Sequence, residues 1–154
     1  MWHEVINVIS GYPGTWPLSA EQSNAFMNNW ARFGAQYAID GDMGSKSIIV
    51  GGNDPWFKAR LDGVHCVHQV TWIHSHPGYG LLYTTWTCNV DGCNCDGEYC
   101  HDEIVLEIEG GEGGTSSCKN GDSLVLSFGD SASRFDINEI KVSGVRSKIA
   151  TGVE

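Results

Sequence analysis

The hydrophobic pattern of the chain consists of short apolar or alternating runs that are separated by Gly, Asn and Asp. Alternation over a few residues places one set of side chains on a single face of a β-strand. Short strands joined by such turn residues are typical of antiparallel sandwiches and barrels, so the pattern predicts an all-β fold. The predicted strands cover residues 4–9, 47–50, 56–61, 64–73, 81–87, 103–108, 123–128 and 135–142.

One segment near the N-terminus has a helical pattern instead. Ser19 and Gln22 have the spacing of a capping box, and Phe26, Trp30 and Phe33 follow at helical intervals. We therefore expect one short helix between the first and the last of these residues. Its aromatic face is expected to pack on the sheet as part of the core.

Composition and charge agree with a β fold and exclude several partners. The chain has 11 Ile and 12 Val against 7 Leu, and β-branched side chains favour strands. No apolar run approaches the roughly 20 residues that a membrane-spanning helix needs. The net charge is −10, and no cluster of Lys and Arg interrupts the acidic balance. Nucleic acid and anionic membranes are therefore not expected as partners.

The cysteines indicate an oxidising compartment. There are six, an even number, and four of them lie in a Gly-rich insertion at residues 88–101. We expect disulfides, although six cysteines allow 15 pairings; structural zinc is the alternative, but its ligands are usually spaced as two separated pairs. Extracellular or secreted localisation follows from the disulfides. No secretory signal is visible at the start, so we expect a processed chain or one module of a larger protein.

Loops and a tail are expected between and after these elements. Residues 89–101 are rich in Gly, Asn and Asp, and residues 110–120 contain the run Gly-Gly-Glu-Gly-Gly; such residues favour turns. The chain after Val142 is predicted to leave the domain as a tail.

Three segments together carry a resemblance to a known family. They are Gln-Tyr-Ala-Ile-Asp-Gly-Asp at 36–42, Pro-Trp-Phe-Lys-Ala-Arg-Leu-Asp-Gly-Val-His-Cys-Val-His-Gln-Val-Thr-Trp at 55–72, and Phe-Asp-Ile-Asn-Glu-Ile-Lys-Val-Ser-Gly at 135–144. In this order they resemble the discoidin (coagulation factor F5/8 C-type) domains and the fucolectin-like F-type lectins. The resemblance implies one domain over residues 1–154, a galactose-binding-like jelly-roll β-sandwich of about eight strands. It also implies that binding loops gather at one end.

A loop rich in Asp, Gly and Ser is a candidate calcium site. Hard cations take several oxygen ligands, which short Asp/Gly loops supply from side chains and carbonyls. The resemblance to F-type lectins implies a structural calcium here. The implied ligands are Asp40, the carbonyl oxygens of Tyr37 and Asp42, Ser45 or Ser47, and Glu139. The alternative is an Asx turn, in which Asp40 bonds the backbone of its own loop.

A pair of histidines, His74 and His76, precedes Pro77. This tetrapeptide resembles the His-x-His-Pro motif of JAMM-type zinc isopeptidases, but that motif also needs a downstream Asp as the third ligand. Thr84 and Thr87 stand at the downstream positions, and the nearest Asp, Asp91, is out of register. A zinc metalloenzyme using the two histidines is therefore only a remote alternative.

The same histidines fall at the binding end in the lectin interpretation. Imidazoles can bond sugar hydroxyls, and aromatic faces can stack on sugar C–H surfaces. The predicted ligand-binding residues are His74, His76, Tyr79, Tyr83 and Trp86. The Arg that fucose-specific members use has no match in this turn, which puts fucose recognition in doubt. The alternative is an exposed turn with ordinary aromatic packing.

The sequence thus predicts a non-catalytic, extracellular carbohydrate-binding module with a structural calcium. Its expected partner is a glycan or glycoprotein. A cell- or protein-adhesion module on the same fold, with a cell-surface protein as partner, is the alternative, because fold alone does not separate the two. Membrane insertion is not expected, since Leu81 and Leu82 are the only apolar pair near the binding end and Lys and Arg do not flank it.

Overall fold

The computed structural model describes residues 17–42, 44–52, 54–75, 83–89, 92–97, 104–129 and 134–146. The predicted strand at residues 4–9 lies outside these ranges. The strands within them are β1 (Ser19–Gln22), β2 (Ser47–Val50), β3 (Trp56–Ser75), β4 (Tyr83–Asn89), β5 (Gly92–Gly97), β6 (Val105–Glu109), β7 (Lys119–Ser127), β8 (Arg134–Ile137) and β9 (Glu139–Arg146). One short helix, α1 (Trp30–Phe33), lies between the 3-10 turns Phe26–Asn28 and Ala35–Ala38. No helix in the described ranges is long and apolar enough to cross a membrane.

The long strand β3 organises the sheet. Residues 57–60 of β3 pair antiparallel with β1, and residues 56–60 and 65–67 pair antiparallel with β7. Residues 65–73 pair with β9, and residues 69–75 pair with β4. The register to β7 shifts between Arg60 and His65, where Gly63 adopts a φ of 134°. Strand β6 continues the sheet beyond β7, and β5 continues it beyond β4. The two halves of β3 therefore have different partner strands. The predicted all-β sandwich is confirmed.

Aromatic and aliphatic side chains of the strands fill the core. Trp72 and Trp86 stack with ring centroids 5.7 Å apart, and Phe128 stacks on Phe135 at 4.2 Å. Trp72 also meets Phe128 edge to face at 6.4 Å. Large aromatic rings bury much apolar area, so this cluster accounts for a large share of the hydrophobic stabilisation.

The predicted short helix near the N-terminus is confirmed, but it covers only α1 and not the rest of residues 19–33. Residues Ser19–Gln22 form β1, and helical geometry is interrupted at Met27 and Asn28, whose φ angles are 55° and 57°. A left-handed pair cannot continue a right-handed helix, so only α1, four residues long, remains helical. The expectation that the aromatic face belongs to the core is wrong for Trp30, which is 45% exposed, whereas Phe26 and Phe33 are half-buried.

Most of the other predicted strands are confirmed with shifted ends. The predicted strands at 56–61 and 64–73 are one strand, β3, continued through the irregularity at Gly63. The predicted strand at 135–142 is divided at Asn138 into β8 and β9. The predicted tail after Val142 is wrong over residues 143–146, because β9 continues there as a partner of β3. The predicted loop at 89–101 is also wrong in part, because it contains β5.

Disulfides rather than a zinc site use the described cysteines. Cys66 is bonded to Cys118, and Cys88 is bonded to Cys93. The second bond joins directly opposed residues of the β4–β5 hairpin. Cys95 is also disulfide-bonded. The expectation of disulfides is confirmed for these five residues.

Candidate functional site

The loop between the 3-10 turn Ala35–Ala38 and β2 is closed by its own acidic side chains. The backbone N–H of Asp42 donates to Oδ1 of Asp40 at 3.0 Å, and the N–H of Gly44 donates to Oδ1 of Asp42 at 2.8 Å. The Ser45 hydroxyl donates to Oδ2 of Asp40 at 2.5 Å. The Asx turn that the sequence allowed at Asp40 is therefore present, and it holds both Asp carboxylates in one compact loop.

Glu139, the first residue of β9, connects this loop to the sheet. Its side chain is fully buried, and both of its carboxylate oxygens accept from the N–H of Gly41, at 3.0 and 2.9 Å. The pKa of Glu139 is raised from 4.5 to about 8, first because burial disfavours the charged form. The charges of Asp40 and Asp42 raise this pKa further, whereas the Gly41 hydrogen bonds and the charge of Lys141 lower it.

Lys141 lies two residues further along β9 and is also buried, with 4% exposure. Burial lowers the pKa of its ammonium group from 10.5 to about 7, against the opposing effect of Glu139. Glu139 and Lys141 thus both resist ionisation, and Glu139 contacts the acidic loop through Gly41. A cation bound in that loop would favour the ionised form of Glu139.

The structure brings together four of the six predicted calcium ligands. Asp40, Asp42 and Ser45 are joined by hydrogen bonds, and Glu139 contacts the same loop through Gly41. Between the two serines that the sequence left open, Ser45 is the one that contacts Asp40. The hydroxyl of Ser47 is buried and has no hydrogen-bond partner among the described residues. No described contact links the Tyr37 carbonyl to this loop; the Tyr37 hydroxyl donates to the Ala31 carbonyl at 2.5 Å.

The predicted calcium ligands have the chemistry of a hard-cation site. They are carboxylate, hydroxyl and carbonyl oxygens, which Ca²⁺ prefers, and they include neither thiolate nor imidazole. The described residues contain no cluster of three or more His, Cys, Asp or Glu side chains that could hold a metal ion. Calcium would therefore need hydroxyl and carbonyl oxygens in addition to the carboxylates of Asp40 and Glu139.

The predicted sugar-binding residues lie at the edge of the described structure. His76 and Tyr79 are outside the described residues, whereas His74 and Tyr83 belong to β3 and β4, on neighbouring rungs of that strand pair. Trp86 is 3% exposed and stacks on Trp72 inside the core. The expectation that its ring stacks on a sugar is therefore wrong, because a ligand cannot reach the face of a buried ring.

Sequence reasoning missed an exposed group in the segment that it assigned to a helix. Met27 and Trp30 are 78% and 45% exposed, although both are large apolar side chains. The signal was present as the pair Asn28-Asn29, because Asn tolerates left-handed backbone better than most residues and favours turns. Such a pair inside an apparent helical repeat predicts an interruption.

The fold is shared with lectins and related domains. An F5/8 type C domain of a Bacteroides fragilis protein superimposes with a TM-score of 0.55 and 12% identity, over 86% of this chain and 98% of that domain. A fucolectin from Morone saxatilis (striped bass) serum has a TM-score of 0.55 and 17% identity, over 83% of this chain and 47% of the fucolectin. A fucose-binding module from Streptococcus pneumoniae has a TM-score of 0.51 and 13% identity, over 83% of this chain and 92% of the module.

Sequence comparison adds nothing to this structural likeness. No protein-family profile matches the chain, and no curated protein sequence matches it. Identities of 12–17% establish a common fold and no more. The resemblance seen in the sequence is thus confirmed at the level of the fold: this chain has the jelly-roll β-sandwich of the F5/8 type C (discoidin) domains and the F-type lectins.

Proposed function

We propose that the chain is a non-catalytic carbohydrate-binding module that acts outside the cell. The observation that carries this proposal is the jelly-roll fold, shared over 83% of the chain with a fucolectin and with a fucose-binding module. The disulfides Cys66–Cys118 and Cys88–Cys93 support an extracellular location, because such bonds persist in oxidising compartments. The glycan array described next identifies the sugar.

A glycan array tests this function directly. The full chain, oxidised and supplied with calcium, is applied to an array of neutral, fucosylated, sialylated and sulfated oligosaccharides, and each hit is titrated by calorimetry. We expect saturable binding to a restricted set of related glycans. The protein-adhesion alternative would replace the proposal if the chain bound no class of oligosaccharide and its binding to a glycoprotein persisted after the glycans had been removed enzymatically.

We further propose that the Asp40 loop holds a structural calcium ion. Asp40, Glu139 and Ser45 would be its side-chain ligands, and the Asp42 carbonyl would be a backbone ligand. The Tyr37 carbonyl and Ser47 are the remaining candidates. What supports the proposal is a buried carboxylate, Glu139, whose pKa is raised to about 8 by burial and by the charges of Asp40 and Asp42. Calcium would cross-link the loop to β9; it would supply no chemistry to a substrate.

Thermal unfolding with EDTA and with calcium tests the ion site. A ligand at 100 times its Kd stabilises the folded state by about 2.7 kcal/mol. For a chain of this size that is a rise of several degrees in Tm. We expect the rise for the wild type and for the control Glu107→Gln, a change on the exposed face of β6, but not for Glu139→Gln. An equal rise in Glu139→Gln, or none in the wild type, would refute the site.

A further inference from the structure

Residues 26–33, called here the Trp30 loop, present the most exposed aromatic ring that the structure describes. Trp30 is 45% exposed, whereas every other aromatic side chain of known burial is buried or half-buried. Met27 beside it is 78% exposed. An apolar ring left in water costs free energy that burial against the core would recover. The fold keeps it exposed although the sheet lies next to it.

The Trp30 loop is held in a backbone conformation of high energy. Met27 and Asn28 adopt φ angles of 55° and 57°, and each left-handed non-glycine residue costs about 1–2 kcal/mol. Such conformations persist only where the surroundings determine them, and they concentrate at ligand-binding sites. Here the turn reverses the chain just before Trp30.

Two buried or partly buried amides fix the ends of the Trp30 loop. The side-chain NH₂ of Gln22 donates to the carbonyls of Asn24, Phe33 and Ile48, at 2.7, 3.0 and 3.2 Å. The side chain of Asn24 bonds both the N–H and the C=O of Val50, at 2.7 and 3.0 Å. The loop is thereby tied to β2 before and after the left-handed turn, which makes its shape preorganised for binding.

Two aromatic rings at the ends of the loop pack against each other and against Arg134. Phe26 and Phe33 meet edge to face at 5.8 Å, and the Arg134 guanidinium lies 4.5 Å from the centre of the Phe26 ring. The same guanidinium bonds both carboxylate oxygens of the buried Asp136, at 2.8 and 3.1 Å. Phe26 and Phe33 are thus fixed to β8, while Trp30 is left accessible.

Polar side chains that suit a sugar neighbour Trp30 along the chain. Asn29 is exposed and makes no capping hydrogen bond to α1 with its side chain. Arg32, two residues after Trp30, is exposed, and its guanidinium lies 5.2 Å from the centre of the Phe33 ring. An indole face stacks on the C–H surface of a pyranose, and amide and guanidinium groups bond its hydroxyls.

We propose that the Trp30 loop is a saccharide-binding subsite, in which a pyranose ring stacks on Trp30 and bonds the side chain of Asn29. This inference rests on the proposed glycan-binding function and gives it a location in the described structure. A membrane is disfavoured as the occupant, because the chain carries a net charge of −10 and the loop contains polar amides next to its apolar residues.

Calorimetric titration of four variants with the strongest oligosaccharide from the glycan array tests the subsite. We expect Trp30→Ala to weaken binding at least about tenfold, which corresponds to about 1.4 kcal/mol. Trp30→Phe keeps a stacking face and is expected to retain most of the affinity. Asn29→Ala is expected to weaken binding by a smaller factor, because it removes one hydrogen-bonding group.

The matched control is Val105→Ala, which truncates a side chain of similar exposure, 54%, on the edge strand β6. It is expected to bind like the wild type. Thermal unfolding of each variant verifies folding, and Trp30→Phe keeps the test valid if the alanine variant is unstable. Wild-type affinity in Trp30→Ala, or equal losses in Trp30→Ala and Val105→Ala, would overturn the subsite alone. A wild type that binds no oligosaccharide would overturn the glycan-binding function and the subsite with it.

Discussion

Removing the two described disulfides separately should destabilise the fold by different amounts. The bond Cys66–Cys118 joins β3 to the start of β7 across 52 residues of sequence, whereas Cys88–Cys93 spans 5. A disulfide limits the entropy of the unfolded chain, and the effect grows with the logarithm of the enclosed loop. In this chain-entropy account, the first bond contributes about 4 kcal/mol and the second about 2 kcal/mol.

Paired Cys→Ala variants are the appropriate change, because Ser would bury a hydroxyl at positions such as Cys88 and Cys118, which are 0% and 3% exposed. Each double variant loses two sulfur atoms, so the difference between the variants reports mainly on loop length. Urea unfolding followed by the fluorescence of the buried tryptophans gives the free energies. We expect the Cys66/Cys118 variant to be less stable than the Cys88/Cys93 variant by about 2 kcal/mol. Equal stabilities, or the reverse order, would refute the entropic argument.

Four further predictions concern buried or partly buried polar groups. In EDTA, the free energy of unfolding of the wild type should fall as the pH rises from about 4.5 to about 8. Glu139 loses its proton near pH 4.5 in the unfolded chain but keeps it until about pH 8 in the folded chain, because its pKa is raised there. Urea titrations at a series of pH values should show this fall in the wild type and not in Glu139→Gln. The pKa of Lys141 is about 7 in the folded chain instead of 10.5, so between these pH values only the unfolded chain binds the proton. The wild type and Glu139→Gln should therefore both become more stable as the pH rises from about 7 to 10.5. Asn24→Ala removes both hydrogen bonds to Val50 and should lower the free energy of unfolding by about 2 kcal/mol, so an unchanged midpoint in chemical unfolding would show that these bonds do not stabilise the fold. Asp136→Asn removes a fully buried charge from its two cationic partners and should cost about 3–5 kcal/mol at low and at high salt alike; a loss that vanishes in 1 M salt would show that the pair is solvated.

The sequence determined the strands and the acidic loop, because both depend on local chemistry. Alternation places every second side chain on one face, so β2 and most of β7 could be located from residues that are close in sequence. Asp40 and Asp42, separated by a glycine, predicted a tight turn for the same reason. The even number of cysteines predicted disulfides, but not which cysteines would pair.

The tertiary structure decided which side chains are buried and which cysteines meet, because both depend on contacts between distant parts of the chain. Trp86 and Trp30 both lie in segments where apolar and polar residues are mixed in the sequence. Trp86 nevertheless stacks on Trp72 in the core, whereas Trp30 is exposed. The side chain of Gln22 donates hydrogen bonds to the carbonyls of Phe33 and Ile48, which are 11 and 26 positions away in the sequence. These bonds fix a segment for which the helical repeat alone predicted a single helix. No local pattern contains those partners, so the conformation of the Trp30 loop and the burial of Glu139 follow only from the folded chain.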